Sequence, residues 1–361
     1  MPALRVCNAG QLGDVQGNLK ESCSPGVGHT VKILAVMCLL ASFAGAAVAQ
    51  TEGELTAKNR LFPTIGPGLR SVKRGPDGKL YVLAAPTPGV IVYSESGKPE
   101  LQIGAGLAPD RSTKARPANI VFGEDCDVDA TGRIYVADRG ANVVLVFSAE
   151  GTLVRSIPIV APVSVAALPE GEVAVATLRS PHLVTVFDKN GRDVREFGDP
   201  EPIAQREDLN RYLNIGQLAT DGKDHLFYAF AYTPEATVRQ YDRFGYAGQD
   251  IQYTAVDALT AALATRREIE RQERRGDQPS LKRNLTAVGV DHTNGDVWIA
   301  LHNQLLRFDK DGSRRAGYML YTPGGARLEA STILVEKNRL IIGSDPLGIY
   351  EFELPDKKSA E

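Results

Sequence analysis

The chain has 361 residues, 43% of them hydrophobic, which is enough to build a large buried core and excludes a disordered chain. With 41 basic against 44 acidic residues, the formal charge is −3. Such a near-balance gives no basis for binding nucleic acid or an anionic membrane surface.

Residues 33–49 are uncharged and mostly apolar or small, preceded by Lys32 and closed by Ala47-Val48-Ala49. This is the layout of a signal peptide cleaved before Gln50, with export to the periplasm or the extracellular space. Membrane contact is expected only through this segment, if it stays uncleaved. The polar, Gly- and Ser-containing stretch 1–30 does not belong ahead of a signal peptide, and translation is expected to start near Val31-Lys32. Cys7, Cys23 and Cys38 all precede the cleavage point, leaving Cys126 alone in the mature chain without a disulfide partner. Met37 before Cys38 argues against lipidation.

From residue 50 to 354 one theme recurs: a polar turn, an alternating strand, a gap and a second alternating strand. Its clearest copy is Asp129-Ala-Thr-Gly-Arg-Ile-Tyr-Val-Ala-Asp138 followed by Val143-Val-Leu-Val-Phe147. Period-two alternation places strands at 79–84, 90–94 and 100–103, then at 143–147 and 153–159 after the copy just quoted. Further strands fall at 172–176, 183–188 and 194–197, at 225–230 and 237–242, at 296–300 and 305–309, and at 339–343 and 348–353. A strand-pair repeat of this length predicts an all-β, six-bladed β-propeller. Its last blade lacks an outer strand, and residues 60–65 are expected to supply it and close the ring. Residues 355–361 form a charged tail.

The longest connections between blades are 104–119, 198–213 and 246–284. All emerge on one face, where function is expected. Within the last, residues 255–275 read as a helical insertion between blades 4 and 5. Its apolar stripe (Val256, Leu259, Leu263, Ile269) suggests that the first half docks and the second projects into solvent.

Counting eight positions back from each turn glycine places Arg70, Glu124, Val163 and Asn214 at the channel mouth. Strand alternation puts Asp125, Asp127 and Asp129 on one side, with Glu124 and Cys126 on the other. Asp129 is an ordinary turn residue. Asp127 is unusual on an innermost strand, and close carboxylates need a cation or donors between them. Either a divalent cation fills that role or Arg70 pairs with the carboxylates. Tyr246 and Tyr253 are candidates for a stacking surface facing a ligand or partner. No Gly-x-Ser-x-Gly elbow, Cys-x-x-Cys pair or phosphate-binding glycine loop is present, and the histidines lack metal spacing.

The unit at 129–151 resembles the NHL repeat and, more broadly, six-bladed propellers of the senescence-marker/gluconolactonase type. That resemblance spans roughly residues 60–354. It implies a channel cation (Ca²⁺, Mg²⁺ or Mn²⁺) held by a Glu, an Asn and an Asp. Glu124 and Asn214 match the first two, while Thr286 stands where the aspartate is expected. The reading is therefore an exported binding or scaffold module, engaging a protein partner or small-molecule ligand through its loop-rich face and channel. The alternative is a metal-dependent hydrolase of small lactones or esters, with Glu124 and Asn214 as metal ligands.

Overall fold

The structure, a computed structural model, describes residues 51–62, 65, 67–85, 89–106 and 119–355. The expected signal peptide, its three cysteines, residues 107–118 of the first long connection and all but the first residue of the charged tail lie outside that set.

Six antiparallel meanders surround a channel. Two N-terminal strands, β1 (Thr51–Thr56) and β2 (Asn59–Leu61), precede them. Blade 1 holds β3 (Leu69–Arg74), β4 (Leu80–Ala84), β5 (Val90–Tyr93) and β6 (Pro99–Ile103). Blade 2 holds β7 (Gly123–Val128), β8 (Ile134–Asp138), β9 (Val143–Phe147) and β10 (Leu153–Pro158). Blade 3 holds β11 (Pro162–Ala167), β12 (Val173–Thr177), β13 (Val184–Phe187) and β14 (Asp193–Phe197). Helix α1 (Glu207–Leu213) then leads into blade 4: β15 (Gly216–Thr220), β16 (His225–Phe230), β17 (Ala236–Asp242) and β18 (Ala247–Tyr253). Helix α2 (Val256–Arg275) follows. Blade 5 is β19 (Ala287–Val290), β20 (Val297–Leu301), β21 (Gln304–Phe308) and β22 (Arg314–Tyr321). Blade 6 is β23 (Thr332–Val335), β24 (Arg339–Ser344) and β25 (Gly348–Glu353).

Several polar turns of the repeat work through one aspartate. Oδ1 of Asp129 accepts the N–H groups of Thr131 (2.8 Å) and Arg133 (3.0 Å), and Oδ2 accepts the hydroxyl of Tyr135 (3.1 Å). Asp221 and Asp309 bind the backbone two and four residues ahead in the same way. These Asx turns fix the reversal, and Gly132 completes one of them at φ +82°, where a Cβ would be strained. The second strands of the blades are buried along their whole length or nearly so, and their side chains interlock between neighbouring blades. The core thus lies between blades and leaves the axis open.

Ring closure occurs where expected. β2 pairs antiparallel with β25, Arg60 facing Tyr350. The paired stretch is 59–61, shorter than the expected 60–65, because Phe62 turns away at φ +49° and stacks on Tyr93 at 4.4 Å. The sequence reading did not foresee β1, which adds a fifth, parallel strand to blade 5 against β22.

The expected helix forms at 256–275, and both of its halves dock. Val256, Leu259 and Leu263 face solvent, and the first half meets the propeller instead through Ala258 and Ala262 and through Asp257, which accepts from Gln304 Nε2 (2.8 Å). The second half, expected to project into solvent, is held by α1, a helix within the expected connection 198–213. Ile269 packs against Leu209 and Leu213 of α1 and against Tyr232, and Gln272 is buried with it.

Candidate functional site

The channel mouth on the loop-rich face is shaped by three bulges at equivalent positions. The register skips one residue between Leu69 and Ser71, between Gly123 and Asp125, and between Pro162 and Ser164. Arg70, Glu124 and Val163 are therefore the extra residues of β3, β7 and β11, and all three line the mouth. A bulge re-aims the side chain it carries. Glu124 thus joins Asp125 in lining the same chamber, against the strict alternation expected from the sequence.

Glu124 is held between two guanidinium groups. Arg139 Nε lies 2.7 Å from one carboxylate oxygen and Arg70 Nη1 lies 3.7 Å from the other. Both guanidiniums also sit over the ring of Phe122, at 5.0 and 5.3 Å. This cluster is placed by Asp138, which is fully buried at the end of β8. Its carboxylate accepts the N–H groups of Val121 (2.8 Å), Phe122 (2.9 Å) and Ala141 (3.1 Å), locking the strand connections on either side of Arg139.

Asp127, expected at the mouth, lies deeper and lines the chamber of the opposite face, where the inner strands explain it. Innermost strands are sheet edges whose free N–H groups face the channel. Asp125 Oδ2 accepts from Ser164 Oγ (2.6 Å) and from the N–H of Val165 (3.3 Å), and Asp127 Oδ2 accepts from the N–H of Ala167 (2.8 Å). Ser164 Oγ in turn accepts the N–H of Leu218 from the next blade (3.0 Å). Short polar side chains on one inner strand thus satisfy the edge of its neighbour. Lys73 lies 3.7 Å from Asp127. Burial would lower the Lys73 pKa, but the carboxylates of Asp127 and Asp125 outweigh it and raise it above its ordinary value. Burial raises the Asp125 carboxyl. Arg70, one of the two partners expected for these carboxylates, goes to Glu124, while Lys73, which was not expected, serves Asp127.

Replacing Lys73 by Met should destabilise the protein by about 2 kcal/mol, between the values for exposed and fully buried pairs. The sign with pH is defined. A raised lysine pKa contributes stability below its unfolded value, and that contribution is lost as pH rises through the higher folded value. The gap between wild type and Lys73→Met in urea titrations should therefore be full at neutral pH and narrow only in strong alkali. Equal midpoints at pH 7 would show that the pair adds nothing.

The insertions build one wall. Arg206 ties α1 to α2: its N–H donates to Glu273, Nη1 to the carbonyl of Gln272 and Nη2 to the carbonyl of Asp277, each at 2.8 Å. Tyr212 packs against Tyr232 with the rings tilted and their centroids 4.6 Å apart, and its hydroxyl donates to the carbonyl of Leu281. Burial, with the neighbouring Tyr232 hydroxyl, pushes the Tyr212 phenol up to about 12, so it is a neutral donor at physiological pH. α1 and residues 278–283 thus border a chamber of about 780 Å³, with α2 behind them through Gln272 and Ser280.

Asn214 takes no part in lining it. In blade 4 the inner strand begins at Gly216, so Asn214 is the C-terminal cap of α1. Its amide oxygen accepts the N–H of Glu201 (2.7 Å), and its amide nitrogen donates to the carbonyls of Glu201 and Asn210 (both 2.9 Å). Glu124 and Asn214 are not brought together. Among the described residues no three His, Cys, Asp or Glu side chains converge as a metal-binding group. Tyr246 and Tyr253 stand at opposite ends of β18 and share no surface. Tyr246 is exposed in the turn on the far face, while Tyr253 is buried with its hydroxyl on Asp257 (2.8 Å). Residues not singled out from sequence are Arg139, Arg179, Arg211 and Arg283, all at the mouth. The available signal was modest: Arg139 and Arg179 both come just after the second strand of a blade.

A second chamber of about 830 Å³ opens on the opposite face, lined by Asp127, Asp129, His225 and His292 among others. Its carboxylates are largely those of the repeat's own turns, and His225 Nδ1 lies 2.8 Å from the turn residue Asp221. Every propeller blade needs such turns, whereas the wall at the other face is additional to the blades. The loop-rich mouth is accordingly the candidate site.

No protein-family model matches the chain, and no curated protein matches it in sequence. Solved structures do. A gluconolactonase from Xanthomonas campestris is similar over 82% of this chain and 89% of its own, with 15% identity and a TM-score of 0.53. A streptogramin B lyase is similar over 82% and 86%, with 14% identity and a TM-score of 0.50. The virginiamycin B lyase of Staphylococcus aureus covers 82% and 87% at 10% identity and a TM-score of 0.48. At these identities the likeness is one of fold alone: the chain is a six-bladed β-propeller, similar in fold to the gluconolactonase and the streptogramin B lyase.

Proposed function

We propose that the protein is an exported binding module that takes its ligand at the loop-rich channel mouth. The observation that carries this reading is the wall formed by α1 and residues 278–283, which α2 backs; it is added to the repeat on one face only and borders the chamber. The carboxylates there are already engaged. Glu124 lies between Arg70 and Arg139, Asp125 accepts from Ser164 and Val165, and Asp345 accepts the N–H of Gly68 (2.7 Å). A chamber of this size suits a small molecule, with polar groups positioned to orient it.

A thermal-shift screen of small molecules against the protein should give stabilising hits by mass action, and Arg139→Gln should weaken them. Hits indifferent to Arg139→Gln and Glu124→Gln would place binding elsewhere. The gluconolactonase-like architecture supplies the competing reading. Hydrolysis of δ-gluconolactone with added Ca²⁺, Mg²⁺ or Mn²⁺ is expected to run no faster than in buffer. Turnover that disappears in Glu124→Gln would replace the binding reading with the hydrolase.

A further inference from the structure

We infer that the ligand of the channel mouth is a small organic polyanion, carrying carboxylate or phosphate groups, gripped by a crescent of arginines. This rests on the reading of the mouth as a binding site and specifies what it binds. Five arginines reach the chamber from successive stations around the ring: Arg70 on β3, Arg139 after β8, Arg179 after β12, Arg211 on α1 and Arg283 ahead of β19. With Lys73 they make six basic side chains against four acidic ones, Glu124, Asp125, Asp208 and Asp345. The chamber therefore carries a formal surplus of two positive charges on a chain whose net charge is −3. A local field opposite in sign to the whole molecule concentrates anions at that spot alone.

Three of these ten groups are met from outside the lining: Lys73 by Asp127, Arg211 by Glu207 and Asp208 by Arg206. That leaves four arginines against three carboxylates, and Glu124 serves two of the arginines at once. Arg179 and Arg283 have no ion pair with any described residue, and Arg70 Nε is buried with no hydrogen-bond partner among them. Guanidinium groups without acceptors in a concave, part-enclosed site are suited to bidentate recognition of carboxylate or phosphate. The neutral phenol of Tyr212 and the amide of Gln217 line the same chamber and supply polar contacts that do not repel an anion. Blade 6 contributes Ser331, Thr332 and Asp345 instead of a cation, so the crescent is one-sided and the ligand has a charged end and a polar end.

The test is isothermal titration of the full chain with three probes: tricarballylate, fructose 1,6-bisphosphate and the neutral trimethyl ester of tricarballylate. At least one anion should bind, the ester should not, and affinity should fall as salt is raised. Arg179→Gln and Arg283→Gln should each weaken the anion about tenfold, as for loss of one charge-assisted hydrogen bond, with Arg→Lys variants restoring part of the loss. Both side chains reach solvent and hold no structural partner, so the melting temperature of the ligand-free variants should match wild type. Preference for tricarballylate or for the bisphosphate identifies the anion as carboxylate or phosphate. Equal binding of ester and anions, or affinity unchanged in both arginine variants, would overturn the polyanion while leaving the mouth as a binding site. If no probe binds and no screened molecule responds to Arg139→Gln, both this inference and the reading beneath it fall.

Discussion

Asp138→Ala should cost the fold about 3 kcal/mol or more, one of the two largest single effects expected in this protein. The carboxylate is fully buried and accepts three backbone N–H groups, from Val121, Phe122 and Ala141. Truncation leaves those donors without a partner, and each orphaned buried donor costs about 1–3 kcal/mol, part of which entering water recovers. The effect extends to the site, since the same bonds hold the connection bearing Phe122 and the turn bearing Arg139. Asp138→Asn keeps one acceptor oxygen and should lose less. Urea unfolding followed by circular dichroism gives both values. A midpoint for Asp138→Ala within error of wild type would show that the carboxylate does not organise the mouth.

Removal of residues 51–62 should have the second large effect, lowering stability by at least about 4 kcal/mol. The segment supplies the outer strand of blade 6 through β2 and the fifth strand of blade 5 through β1. It also carries Phe62, buried and stacked on Tyr93. Loss of one such aromatic from a core costs about 3–5 kcal/mol, before counting the ladder hydrogen bonds of two strands. Phe62→Ala separates the two contributions, because it keeps both strands and should show most of the packing loss. Thermal melts of both variants decide the matter. An unshifted melt in the deletion would mean that the ring closes without this clasp.

Blade number and the second and third strands of each blade were legible because they rest on local chemistry that recurs along the chain. The outer strands β18, inside the expected insertion 246–284, and β22 were not. Asp129 with Gly132 makes a turn wherever it occurs, and alternation over four to six residues makes a half-buried strand whatever its neighbours. Even the extent of α2 followed from local periodicity. Its docking did not. The apolar stripe Val256–Leu259–Leu263 was the stronger sequence signal, yet α1 selected Ile269, and α1 itself is a short helix whose burial comes from tertiary packing.

The mouth was legible only in part, for a related reason. Counting back from the turn glycines found Arg70 and Glu124 because three blades share a bulge at that position, a feature that no alternation pattern reveals. The same count reached Asn214, where the strand starts two residues later and the residue caps a helix instead. One residue of register reverses the face of every side chain that follows, so such positions are fixed only when strands pair. Turns and alternation act within a few residues, so the repeat, the six blades and closure by β2 are readable from the sequence, whereas the pairing of β1 with β22 is not. Tertiary structure alone decided that Asp125 and Asp127 satisfy the edge of the next blade. It also decided that arginines from Arg70 to Arg283 meet at one mouth, because those contacts join residues some forty to two hundred positions apart, which only closure of the ring brings together.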